Sequence, residues 1–253
     1  MSPPPALSIV VPVYNEAAIL VELAERCLAT AASTQQSHEL ILVDDGSTDE
    51  TRNLHTKLPP GVRVLHLAEN CGQLNATRIG IHAAQGALVC VLDGDLQDPP
   101  EVLEQLFQSF NEDLDVVFAV KVKREDPIIF RILRSLYGTV MHMAPYAPPP
   151  GSGAYCMMRQ PLARRVAQAT WTAGNLSVWI MREHPRFATV PYRKKARYDH
   201  DSHVGWAGLV REAFGSAVVA ELFGLHRLIR WFTSAFPATP PLSSLPDVEE
   251  HIT

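Results

Sequence analysis

The chain lacks any cysteine pairing signal. Cys27, Cys71, Cys90 and Cys156 lie far apart and form no C-x-x-C unit. Zinc ribbons and disulfide frameworks are therefore excluded, and a reduced, cytosolic setting is expected. There is no apolar run of about 18 residues, so no membrane-spanning helix is predicted. The opening Met1-Ser2-Pro3-Pro4-Pro5-Ala6 has no basic region and no apolar region, so no signal peptide is expected. Positive charge is in deficit: the net charge of −5 argues against a dedicated nucleic-acid binder. No internal repeat is present. What remains is a chain of 253 residues, 47% apolar and 19% charged, enough for one large domain with a sizeable core.

The first half alternates strands and helices. Apolar runs predict strands at 7–13, 39–43, 62–67, 87–92 and 115–120. Helices are predicted at 16–32, 48–57, 73–85 and 100–110. Continuous apolar strands separated by helices mean a mostly parallel sheet covered on both faces. The second half is less regular. It predicts a helix at 128–143, a Pro/Gly loop at 145–153, a strand at 154–158, helices at 162–169 and 175–182, and a strand at 187–192. A broad apolar helical region is expected at 204–236. Residues 237–253, first proline-rich and then acidic, read as a loose tail.

In parallel sheets ligands bind beyond the carboxyl ends of the strands. That rule organises the polar residues. Tyr14-Asn15-Glu16 follows the first strand, and Asp44-Asp45-Gly46-Ser47 the second. Asp93-Gly94-Asp95 follows the fourth, and Lys121 and Arg124 the fifth. Asp93 and Asp95 say most. Two close carboxylates repel, and a divalent cation is the usual way to stabilise them together. A hard cation with oxygen ligands is also what a substrate diphosphate needs. The plain alternative is capping: Asp98-Pro99-Pro100-Glu101 makes a good helix start, with Asp98 as the N-cap.

These residues resemble a known family. Ser8 to Glu16, Leu42 to Thr51, Asn70-Cys71-Gly72 with Asn75, Ala76 and Gly80, and Asp93 to Glu101 are similar to four ordered segments of family 2 glycosyltransferases of the GT-A fold. The form Asp93-Gly94-Asp95-Leu96-Gln97-Asp98-Pro99-Pro100-Glu101 resembles the polyprenyl-phosphate branch, which includes dolichol-phosphate mannosyltransferase. The resemblance implies a Rossmann-like α/β domain over residues 1–200. Its nucleotide-sugar half would be 7–125 and its acceptor half 126–200, followed by a helical extension at 201–236. It implies inverting transfer of a sugar from a UDP-, GDP- or dTDP-sugar, with Mg2+ or Mn2+ as cofactor. Pro12, Tyr14 and Glu16 would line the base and ribose pocket, and Asp44 would accept from the base edge or ribose. Asp93 and Gly94 would meet ribose or diphosphate. Asp95 and Gln97, with Asp93, would hold the metal. Lys121 would face the donor phosphates.

A phosphate monoester is already largely a dianion at neutral pH. Such an acceptor needs cations to position it more than it needs a base. The segment Arg193-Lys194-Lys195-Ala196-Arg197 is placed to supply them, Arg suiting bidentate phosphate contacts. A solvated basic strand end is the alternative. The branch usually continues R-x-x-G-x-S-K. Here His200 replaces the glycine, His203 replaces the lysine, and Asp199 and Asp201 are added. A soluble acceptor, such as a natural product, therefore competes with a lipid phosphate. A hydroxyl acceptor would need a general base, for which Asp199, His200, Asp201 and His203 are candidates. Arg197 and Asp201 join Asp93 and Asp95 as expected catalytic residues. The apolar helix at 204–236 fits peripheral membrane contact at the inner face, dimerisation, or packing on the catalytic domain.

Three rival classes fare worse. A dinucleotide dehydrogenase would want G-x-G-x-x-G after the first strand, where Val13-Tyr14-Asn15-Glu16 stands. A phosphoreceiver-like site would want an acid at the end of the third strand, where His66-Leu67 stands. A non-catalytic nucleotide binder would not require Asp93-Gly94-Asp95 intact.

Overall fold

The computed structural model describes residues 3–122, 146–170, 175–195 and 240–253. The expected helices at 128–143 and 204–236, and Arg124, Arg197, Asp199, His200, Asp201 and His203, lie outside the described residues. The described chain forms one eight-stranded sheet. Its strands are β1 (Leu7–Val13), β2 (His38–Asp44), β3 (Val62–Leu67), β4 (Leu88–Val91), β5 (Val116–Lys121), β6 (Ser152–Arg159), β7 (Phe187–Tyr192) and β8 (Val248–Ile252). Their order across the sheet is β7-β5-β6-β4-β1-β2-β3-β8. β1 pairs in parallel with β2 and β4, β2 with β3, and β5 with β7. β6 runs against both β4 and β5, and β8 against β3.

Successive residues of the central strands feed two different cores, as a two-residue side-chain period requires. Leu7, Ile9, Val11 and Val13 of β1, with Leu40 and Leu42 of β2, face one core. That core is closed by α1 (Leu20–Ser33) and α3 (Val102–Gln108). Val10, Ile41 and Val43 face the other. There α2 (Gln73–Ala83), α4 (Gln160–Gln168) and α5 (Leu176–Arg182) cover the sheet. Each such fully buried side chain contributes about 1.5–3 kcal/mol relative to exposure, so the middle strands carry the stability. α2 rides unusually low over β1 and β2. A Cβ on Gly80 would sit 2.4 Å from Val10 Cγ1 and 2.8 Å from Val43 Cγ2, so only glycine permits that approach.

Arg78, one turn of α2 from the rim, is 0% exposed. Its guanidinium donates to Ala167 O (2.9 Å), Ala169 O (3.1 Å), Asn75 Oδ1 (3.1 Å) and Pro240 O (2.8 Å). Its carbon lies 6.0 Å from the Trp179 ring centroid. The acceptors at 167 and 169 are carbonyls at the C-terminal end of α4, where a helix leaves them unpaired and a positive charge is favoured. One cation thus joins α2, α4 and the returning segment at Pro240.

Four expectations need correction. α1 begins at Leu20 rather than Glu16, because Asn15 adopts a left-handed φ of 55°. The backbone N–H groups of Asn15 and Glu16 are used by Ser47 Oγ and Thr51 Oγ1, both at 2.9 Å. Residues 50–57 form a 3-10 helix whose N-cap, Asp49, accepts from Thr51 N. Asp98 does not cap α3; it turns inward, and the N-cap position is Glu101, which makes no side-chain cap bond. The supposed loose tail at 237–253 carries a one-turn 3-10 segment (Leu242–Ser244) and β8, and Thr253 N donates to Val62 O (3.1 Å).

Candidate active site

The carboxyl ends of β1, β2, β4 and β5 meet at one rim. Pro12 lies in the middle of the sheet, where a missing N–H would normally break a ladder. It escapes that cost because β4 pairs with β1 only as far as Val10↔Val91. The space beyond is filled by the Asp93-Gly94-Asp95 loop. A Cβ on Gly94 would lie 2.7 Å from Pro12 O and 2.8 Å from Val13 Cγ1. Gly94→Ala should therefore push the loop off β1. We expect a destabilisation of about 1–3 kcal/mol, typical of overpacking, with a larger proportional loss of turnover. Thermal melting and initial rates on the same preparation check this.

Tyr14 is 44% exposed and Glu16 half-buried at the same rim. Asn15 Oδ1 accepts from Thr48 N (2.9 Å), tying the end of β1 to the loop after β2. In that loop Asp44 is 1% exposed, and both its oxygens are engaged inside the protein. Ser47 N donates to Oδ1 (2.9 Å) and His66 Nδ1 to Oδ2 (2.8 Å). Burial alone would raise this carboxyl, but the bonds from His66 and Ser47 outweigh it and hold the pKa below the usual value. Asp44 thus spends one acceptor site of each oxygen inside the protein, and a carboxylate has further lone pairs for a base or ribose. Its neighbour Asp45 accepts from Cys71 N (2.8 Å) and so docks the turn that opens α2.

That docking brings Gln73, the first residue of α2, onto the acidic loop. Its Nε2 donates to Asp93 Oδ1 (2.7 Å). Burial, followed by the nearby charge of Asp98, pushes the Asp93 carboxyl up to about 6; Asp95 adds to the rise, while Lys194 and Lys121 oppose it. Asp95 Oδ1 accepts from Gln97 N (3.0 Å) across Leu96, which takes a left-handed φ of 56° and buries its side chain. This short turn fixes Asp95 beside Asp93. Gln97 O in turn accepts from Lys195 N (2.9 Å), bringing the segment after β7 to the rim. Lys121 ends β5, its N–H donating to Gly151 O (3.0 Å). Arg193 is exposed on the segment after β7.

Pro12, Tyr14, Glu16, Asp93, Gly94, Asp95, Gln97, Lys121 and Arg193 thus belong to strand ends and loops at one side of the sheet. Sequence reasoning missed Gln73, Asp45 and His66 as supports of the site. Gln73 had a visible signal, since it opens a helix directly after the Asn70-Cys71-Gly72 turn. Among the described residues no three acid, histidine or thiol side chains converge as a metal cage. Asp93 and Asp95, with Gln97 in the same turn, suit a cation that takes its remaining ligands from substrate oxygens and water, as a hard ion bound with a diphosphate does. Burial first, and then the neighbouring carboxylates Asp98 and Asp95, disfavour the ionised form of Asp93, which a nearby cation would favour.

Comparison with known proteins agrees with this geometry. The model of the family described as Glycosyl transferase family 2 matches residues 8–167. An undecaprenyl-phosphate 4-deoxy-4-formamido-L-arabinose transferase of Shewanella sediminis is 41% identical over 129 residues, covering 49% of this chain and 39% of that protein. The chain spans about half or less of the curated relatives it matches, from 38% to 54% of their length. Among solved structures, glucosyl-3-phosphoglycerate synthase of Mycobacterium tuberculosis with Mn2+, UDP-Glc and phosphoglyceric acid is similar. Its TM-score is 0.63 at 17% identity, covering 87% of this chain and 80% of that one. A mannosyltransferase of Pyrobaculum calidifontis with GDP-Man and Mn2+ has a TM-score of 0.55 at 20% identity, covering 86% and 65%. At those identities the two structures speak for the fold alone, an α/β architecture built on a mostly parallel sheet.

Proposed function

This chain belongs to glycosyl transferase family 2, whose model spans residues 8–167, and from that premise we propose an inverting, divalent-metal-dependent transfer of a sugar from a nucleotide diphosphate to a polyprenyl phosphate. The observation that carries the reading is the Asp93-Gly94-Asp95 rim, where Gln73 Nε2 donates to Asp93 and burial, then neighbouring carboxylates, raise the Asp93 pKa to about 6. When bound, Mg2+ or Mn2+ held by Asp93, Asp95 and Gln97 would supply Lewis-acid stabilisation of the charge gathering on the departing diphosphate.

The remaining work falls to the chain's own groups. Tyr14 and Glu16 stand where a base and ribose would lie, on a loop braced by Asn15 and Thr51. Gln73 holds Asp93 in place. Lys121, at the end of β5, faces the donor phosphates. The acceptor oxygen attacks the anomeric carbon from the face opposite the diphosphate, which inverts the configuration. A phosphate dianion needs no general base to do this, because its second pKa is near 6. The acceptor assignment is supported by the undecaprenyl phosphate named as substrate of the Shewanella sediminis relative. It is also supported by the attachment of Arg193-Lys194-Lys195 to the acidic loop through Lys195 N and Gln97 O. No described helix is long and apolar enough to cross a membrane.

Calorimetry with UDP-, GDP- and dTDP-sugars, each with and without Mn2+, tests the donor half. Binding of one base class is expected, and only with the metal. Absence of metal-dependent binding to all three would overturn the reading. Sugar incorporation into a lipid extract, compared with a small-molecule extract, tests the acceptor half.

A further inference from the structure

Asp98 is the one acid of the rim that sequence reasoning assigned to a helix cap, and it does something else. It is 0% exposed. Tyr192 OH, at the end of β7, donates to its Oδ1 (2.6 Å). Its Oδ2 is buried without a hydrogen-bond partner. The ammonium of Lys194 stands 3.7 Å from Oδ1 on a side chain that is 20% exposed. The peptide on either side is pinned independently: Tyr155 OH donates to Pro99 O (3.0 Å), and Lys195 N to Gln97 O (2.9 Å).

A buried carboxylate with an unsatisfied oxygen is a poor stabiliser, since desolvation offsets most of what its partners return. The end of β7 is already fixed by the Lys195 bond, so attachment alone does not call for a second charge. A separation of 3.7 Å is too long for a hydrogen bond. The ammonium is therefore steered by Asp98 while its three N–H donors stay available. Its charge also lowers the Asp93 pKa, against the effect of burial.

We propose that Asp98 is a positioning residue: held by Tyr192, it sets the Lys194 ammonium beside the Asp93-Gly94-Asp95 loop as a preset binding group for a phosphate. This rests on the transferase reading and deepens it. Two phosphates come to such a site, the diphosphate of the donor and the monoester of the acceptor. The chemistry Lys194 would recognise is common to both.

The test is a double-mutant cycle on binding. Wild type, Lys194→Ala, Asp98→Asn and the double variant are titrated in two arms. One arm uses UDP or GDP with Mn2+. The other uses vesicles carrying undecaprenyl phosphate. Asn keeps an oxygen for Tyr192 and removes only the charge. Each single substitution is expected to weaken the same arm roughly tenfold, as for one charged hydrogen bond. The double variant should be no weaker than Lys194→Ala, because the two act as one unit. The arm affected identifies the phosphate. Independent, multiplying losses, or an Asp98→Asn variant that binds both ligands as the wild type does, would overturn the proposal. If Asp98→Asn melts early, Tyr192→Phe replaces it; that variant keeps the carboxylate but frees it, and the same non-additivity with Lys194→Ala is required. A wild type that binds neither ligand sinks the transferase reading itself. A wild type that binds while the cycle shows no coupling sinks only the role of Asp98.

Discussion

An Asp95→Asn variant is expected to fold as the wild type does and to lose about a thousandfold in kcat/KM, some 4 kcal/mol of transition-state stabilisation at 1.36 kcal/mol per decade. The size follows from the role. Several kcal/mol of charge stabilisation come from a cation on a departing diphosphate, and Asp95 is one of the two carboxylates of the Asp93-Gly94-Asp95 loop. The choice of asparagine matters. Asp95 Oδ1 accepts from Gln97 N across the left-handed Leu96, and an asparagine carbonyl makes the same bond. The turn therefore survives while the charge is lost. Asp95→Ala removes both, so the difference between the two variants measures what the turn contributes. Initial rates across a Mn2+ series, with melting curves on the same samples, decide the matter. Turnover near wild type in Asp95→Asn would mean that the rim holds no catalytic cation.

The largest expected effect on stability belongs to a residue far from the chemistry. Arg78→Met should cost about 4 kcal/mol, since buried acceptors left without a donor cost on the order of 1–3 kcal/mol each. Methionine fills much of the volume but returns none of the four hydrogen bonds to Ala167, Ala169, Asn75 and Pro240. For a chain of this size that corresponds to a fall in melting temperature of roughly 8–16 °C. Arg78→Lys keeps the charge but not the planar fork, so it should recover only part of the loss. Urea midpoints of the three proteins give the measurement. An Arg78→Met variant within about 1 kcal/mol of wild type would show that Arg78 does not clasp the fold, given that surface substitutions usually stay within ±0.5 kcal/mol.

Much of this molecule is legible before it is folded. The run at 7–13 is a strand buried on both faces, and the runs at 62–67 and 187–192 also match the observed β3 and β7 in their bounds, although β7 buries only Val190 and Tyr192. The acidic loop is legible because charge at the end of such a run must stand at the rim. Pairing is another matter. Nothing local tells β6 to insert between β4 and β5 and run against both. β8 hides because Val248-Glu249-Glu250-His251-Ile252 is mostly exposed, as an edge strand with few neighbours is. Arg78 reads as a solvent-facing helix residue, since four backbone and amide acceptors leave no mark in sequence. Asp98 misleads for a physical reason: Asp-Pro-Pro-Glu is a sound helix start, and only a distant tyrosine hydroxyl draws the carboxylate inward. His66 stands where a rival site would need an acid, and its imidazole is what donates to Asp44.

The strand that borders β3 has a bearing on how this architecture tolerates change. Arg63 and Glu250, joined across that border, are 187 positions apart in sequence. Closing so long a span is entropically insensitive to its length, each doubling adding only about 0.6 kcal/mol. Spliced or deleted chain between Lys195 and Pro240 therefore leaves the sheet's outer seam nearly as cheap to zip as before.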